Sequence, residues 1–212
     1  MNKFEKIFCG LLIGPILPIT GFLAGWWSLS QNSNKLNIGV AAFGGLGLGL
    51  LIDAFFLKKW VAKAYRLPPT ILMAIYFFYS ICVFGFFMGV PVFNVGLALP
   101  AGVFIGASLA QVNLNPTEEK KKVHQALTFT LLVMGLICAA SAFLALRDPT
   151  TAANLEGMLR LRFTVTQPMI VALILVGGSA LLLLQWGLGV WSIQWGKRMA
   201  GKYLEKTVSS DL

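Results

Sequence analysis

The chain has 212 residues, of which 57% are hydrophobic and only 12% charged, with 17 Lys and Arg against 8 Asp and Glu. A water-soluble fold of this size needs a charged skin that these residues do not supply, which excludes soluble enzymes, disordered regulators and secreted disulfide scaffolds. The net charge of +9 invites a nucleic-acid reading, but the basic residues are confined to short segments between long uncharged stretches, so no nucleic-acid partner is expected.

Those uncharged stretches are Ile7–Asn34, Leu36–Ile52, Leu67–Thr117, Val123–Leu146 and Phe163–Gly196. A helix crossing ~30 Å of hydrocarbon needs about 20 apolar residues. Four stretches fit one crossing each. Leu67–Thr117 fits two, joined by a tight turn over residues 89–94. The expectation is an all-α integral membrane protein, one transmembrane domain over 1–212, with helices near 7–29, 37–57, 70–89, 93–113, 123–146 and 169–195.

The first span carries Lys3 and Lys6 before its apolar run, as a signal peptide would. Pro15 and Pro18 interrupt the run, Trp26 and Trp27 follow it, and no small-x-small cleavage site appears, so an uncleaved span is expected. In the second span Asp53 is the only charged residue inside an apolar stretch. Its insertion at a bilayer centre costs about 2.5 kcal/mol or more. It lies five residues before Lys58, about 7.5 Å along a helix, so interfacial placement, pairing with a snorkelling lysine, a proton or cation site, and an inter-subunit contact are all open. Asp53 is the candidate for ion coupling.

Residues 58–67 read as a short basic amphipathic helix in the interface, with Trp60, Val61, Ala64, Tyr65 and Leu67 apart from Lys59, Lys63 and Arg66. Pro68 and Pro69 end it and start the third span. Asn115-Pro116-Thr117-Glu118-Glu119 is a helix-start signature: Asn115 can cap, Pro116 suits the first position, and the acids suit the positive helix end. His124 falls on this wet turn as a surface residue. An outer loop is expected over 147–168, and the alternation of Leu159, Leu161, Phe163 and Val165 with Arg160, Arg162, Thr164 and Thr166 reads as extended.

Orientation follows from the basic residues. With the N-terminus inside, the inner segments hold Lys3, Lys6, Lys58, Lys59, Lys63, Arg66, Lys120, Lys121, Lys122, Lys197, Arg198, Lys202 and Lys206, thirteen in all; the outer ones hold Lys35, Arg147, Arg160 and Arg162. Both termini are therefore expected in the cytoplasm, in a plasma-membrane protein whose inner face favours anionic headgroups. Trp26 and Trp27 at one end, and Trp60, Trp191 and Trp195 at the other, suit headgroup depth.

Cys9, Cys82 and Cys138 lie in spans without metal spacing, so neither a metal nor a cofactor is expected, and the cysteines read as packing residues. GxxxG pairs occur at Gly10/Gly14, Gly21/Gly25, Gly45/Gly49, Gly85/Gly89 and Gly102/Gly106. Such spacing lets helix backbones meet, either within one bundle or across a homodimer seam, for which Gly45 and Gly49 are the candidates.

Leu17-Pro18 in the first span and Leu99-Pro100 in the fourth are followed, four residues after each proline, by Phe22 and Phe104. This leaves a three-plus-three inverted repeat open. Prolines in spans free backbone carbonyls, and paired breaks build sites in many secondary transporters. The candidate substrate residues are Pro18, Thr20, Asn94, Pro100 and Ser108. No catalytic set appears: there is no serine–histidine pair within the spans, no paired acids in one span, and no phosphate-binding loop. The expected function is a small-solute transporter or channel with its site between the broken first and fourth spans. A non-catalytic membrane subunit of a heteromeric complex is the alternative, and a lipid-handling enzyme is the third reading.

Overall fold

A computed structural model describes residues 3–30, 35–112, 114–160 and 163–210. Among these residues all regular structure is helical: α1 (Lys3–Ile13), α2 (Ile16–Leu29), α3 (Lys35–Ala62), α4 (Pro69–Phe86), α5 (Ala98–Ala110), α6 (Pro116–Arg147), α7 (Thr151–Leu159) and α8 (Gln167–Ser210), with short 3-10 helices at Ala64–Arg66 and Pro91–Leu97. Six helical stretches are long and apolar enough to cross a membrane: Glu5–Leu29, Lys35–Ala62, Pro69–Phe86, Pro91–Ala110, Pro116–Arg147 and Gln167–Gly201. They coincide with the six expected from the uncharged stretches.

Local chemistry explains where the boundaries differ. The basic segment over 58–67 is not a separate helix: α3 runs on to Ala62, because no glycine or proline intervenes before Pro68, and a 3-10 turn follows. The faces nonetheless divide as the pattern implies, with Val61 and Ala64 buried and Lys59, Lys63 and Arg66 exposed. The turn after α4 uses Met88 (φ 54°) and Gly89 (φ 82°) in the left-handed region, which only glycine adopts without cost. Asn115 is extended and Pro116 opens α6, but the Asn115 side chain makes no capping hydrogen bond. The outer segment holds the helix α7, ended by Arg160 in the left-handed conformation (φ 51°). Leu161 and Arg162 of the alternating stretch lie outside the described residues. Asp148 starts this segment by accepting from the Thr150 N–H (2.8 Å) and hydroxyl (2.7 Å), which holds its carboxyl below the usual range.

The chain groups into two compact units, Met1–Ile75 and Tyr76–Leu212. In the first, α2 lies along α3 with backbones in contact. A Cβ at Gly45 would fall on the Gly21 carbonyl, one at Gly25 on the Ala41 carbonyl, and one at Gly49 2.6 Å from the Leu17 carbonyl and Pro18. Gly45 and Gly49 thus spend their bare faces on the chain's own α2. Tyr65 packs back on Cys9, which is fully buried, and burial pushes the Tyr65 phenol above its ordinary range.

In the second unit α5 packs on α8 in the same way. Gly102 meets the Ser192 side chain, Gly106 the Ile193 carbonyl and the Lys197 N–H, and Gly196 the Val103 backbone. The Ser192 hydroxyl donates to the Ala98 carbonyl (3.0 Å). At the end of this seam Lys197 Nζ pairs with Glu119 Oε1 at 2.6 Å. Outside the seams the helices present exposed Leu, Ile, Val, Phe and Trp side chains, as helices facing lipid do.

Candidate functional site

The sequence-derived residues fall in both units. Pro18, Thr20 and Asp53 belong to the first; Asn94, Pro100 and Ser108 belong to the second. Pro18 is buried against Gly49. Thr20 is exposed, and its hydroxyl donates to the Ile16 carbonyl at 2.6 Å. Pro100 and Ser108 are half-buried on α5. Pro18 and Pro100 share one role: each is the third residue of an α-helix, α2 or α5, that begins just after a change in backbone course. In a first turn a missing N–H costs little.

Asn94 differs from the rest. It sits in the 3-10 helix Pro91–Leu97, is 2% exposed, and its Nδ2 donates to the Ser80 carbonyl at 2.8 Å. Its Oδ1 is buried and has no partner. The strand-free path from Gly89 makes this placement: Pro91 fixes the first turn of the 3-10 helix, whose tight pitch turns Asn94 inward.

Ser80 belongs to a polar cluster. Its hydroxyl donates to the Tyr76 carbonyl one turn back (2.9 Å). The Tyr76 hydroxyl accepts a hydrogen bond from Gln185 Nε2 on α8 at 2.8 Å. Gln185 is fully buried, and its Oε1 has no partner. Phe129 on α6 meets the Tyr76 ring edge-on, with centroids 6.0 Å apart. Thr130, beside Phe129, is buried and donates to the Leu127 carbonyl. Tyr76 and Gln185 each lie near the middle of their apolar helices, Pro69–Phe86 and Gln167–Gly201.

The cluster therefore offers two amide oxygens and a phenol in an apolar surround. An unpaired buried amide end costs roughly 1–3 kcal/mol, and the second unit carries two of them, Asn94 Oδ1 and Gln185 Oε1. No charged side chain takes part in these contacts, which suits hydrogen bonding to a neutral polar molecule. Sequence reading singled out Asn94 but missed Tyr76 and Ser80. Gln185 is visible in the sequence as a polar residue in the last span, yet its partner lies 109 positions away.

No family model matches the chain, and neither a curated protein nor a solved structure does so. Among the described residues no group of three His, Cys, Asp or Glu side chains is placed to hold a metal ion.

Proposed function

We propose that the protein is a multi-pass plasma-membrane carrier or channel for a small neutral polar solute, with the solute held at Tyr76, Asn94 and Gln185. The observation that carries this reading is the pair of buried amide oxygens without partners, Asn94 Oδ1 and Gln185 Oε1, in one unit. A solute bearing N–H or O–H donors would satisfy both. The thirteen-to-four split of basic residues supports both termini inside. Leu17-Pro18 and Leu99-Pro100 share a register near the start of their helices. The Gly102/Gly106 seam with α8, where the first unit joins α2 to α3, shows that the packing around the two registers differs.

The second reading, a static subunit of a membrane complex, draws on the backbone-to-backbone glycine seams of both units, since close packing leaves no water path. One cysteine experiment separates the two. In a background lacking Cys9, Cys82 and Cys138, Ser80→Cys is treated in native membranes with a small polar thiol reagent. The carrier reading expects modification without denaturation, because water must reach the cluster. A thiol that reacts only after unfolding would remove the solute site and favour the subunit.

Topology is checked in the same background. Ala153→Cys, exposed on α7, should react with an impermeant reagent added to intact cells. Gly201→Cys should react only after the membrane is opened. Labelling of Gly201→Cys from outside would reverse the assigned orientation.

A further inference from the structure

The carboxylate of Asp53 lies opposite the break between α1 and α2. On α3 it is flanked one turn away on either side by Gly49 and Leu57. Gly49 rests on Leu17 and Pro18, and the Leu57 methyls lie 3.5 and 3.7 Å from where a Gly14 Cβ would be. The face of α3 carrying Asp53 is therefore laid along residues 14–18, where helical structure lapses at Gly14-Pro15. Asp53 is 7% exposed, and its Oδ1 is buried without a hydrogen-bond partner. The lysine pairing open from the sequence is not what relieves it: Lys58 and Lys59 are exposed, and the Lys59 ammonium sits 5.8 Å from the centre of the Phe56 ring. Because α3 continues to Ala62, Asp53 lies about 13 Å inside the end of its helix at 1.5 Å per residue.

The break supplies what a lone carboxylate lacks. Pro15 and Pro18 have no N–H to give the carbonyls of Leu11 and Gly14, the residues four positions before each. Leu11 lies in the last turn of α1 and Gly14 just beyond its end, where the start of α2 meets the same point. An ionised carboxylate beside free carbonyl oxygens is self-repelling unless a cation lies between them. A cation held between them answers the carboxylate and the carbonyl oxygens together. One carboxylate balances one positive charge; a calcium ion takes 6–8 oxygens and more carboxylates.

We propose that Asp53, with the carbonyls of Leu11 and Gly14, forms a binding site for a small monovalent metal cation, sodium or potassium. The site lies within the first unit and stands independently of the solute reading.

The full-length protein, purified in detergent and exchanged into choline chloride, is titrated with sodium, potassium or calcium chloride at constant ionic strength. Binding of radioactive sodium or rubidium and the unfolding temperature are followed. The site expects saturation near one monovalent ion per chain and an unfolding temperature that rises with ion concentration. Asp53→Asn abolishes both. Pro18→Ala, which restores an N–H to the Gly14 carbonyl and keeps the carboxylate, weakens affinity about tenfold, the usual scale for a disturbed ligand surround. If Asp53→Asn does not fold, the native protein and Pro18→Ala decide. No difference from choline in the native protein, saturation only by calcium, binding intact in Asp53→Asn, or unchanged affinity in Pro18→Ala would each overturn the site. No transport is measured, so failure here leaves the Ser80→Cys result untouched.

Discussion

Gly45→Leu should abolish the folded protein, while Gly44→Leu, one position away, should leave it intact. A side chain at Gly45 would have to occupy the place of the Gly21 carbonyl, and backbone cannot rotate aside as a side chain can. Overpacking a core costs about 1–3 kcal/mol where side chains yield; here the seam itself must open, so the loss should lie at or above the top of that range. A Cβ at Gly44 or Gly47 meets nothing within 4 Å, so leucine there should change stability by no more than about 0.5 kcal/mol. Gly106→Leu, which would meet the Ile193 carbonyl, should repeat the effect in the second unit. Unfolding titrations in mixed detergent, with the yield of monodisperse protein, measure all four. A Gly45→Leu protein that folds normally but changes only its oligomeric state would show that this glycine serves a contact between copies.

Tyr76→Phe combined with Gln185→Met should keep the fold and dry the cluster. Removing one partner alone would strand the other, but replacing both with apolar groups of similar shape removes the hydrogen bond and the unpaired Gln185 Oε1 together. Hydrogen bonds between membrane helices average about 0.6 kcal/mol, so stability should stay within about 1 kcal/mol of the native protein and can rise. The solute site, in contrast, loses its phenol and one amide. The rate at which Ser80→Cys reacts with a polar reagent in this background should fall at least about tenfold, equivalent to about 1.4 kcal/mol. An unchanged rate would separate water access from these two side chains and move the solute site elsewhere.

Much of the architecture is legible in the amino-acid sequence. An uncharged run of about 20 residues can be satisfied only as a helix when no water is at hand, so the six apolar helices are written into the spacing of Lys, Arg, Asp and Glu. Gly89 and Pro91 mark the turn before the fourth such helix, and Asn115-Pro116 marks the start of the fifth, since these features depend on neighbours a few residues away. Asp53 stands out for the same local reason: it is the one charge in an apolar run.

Rotation about the helix axes was not legible. A soluble helix announces its buried face by a polar stripe on the other side; the apolar stretches of α3, α5 and α8 carry no such stripe. The GxxxG spacing separates Gly45 and Gly49 from Gly44, but not whether they meet the chain's own α2, as they do at Gly21 and Leu17–Pro18, or a second copy. For the same reason the sequence could not pair Tyr76 with Gln185, or lay Asp53 along the Gly14–Pro18 break. Those contacts depend on which face of each helix its neighbour covers, and that was decided by fitting glycine backbones together in three dimensions.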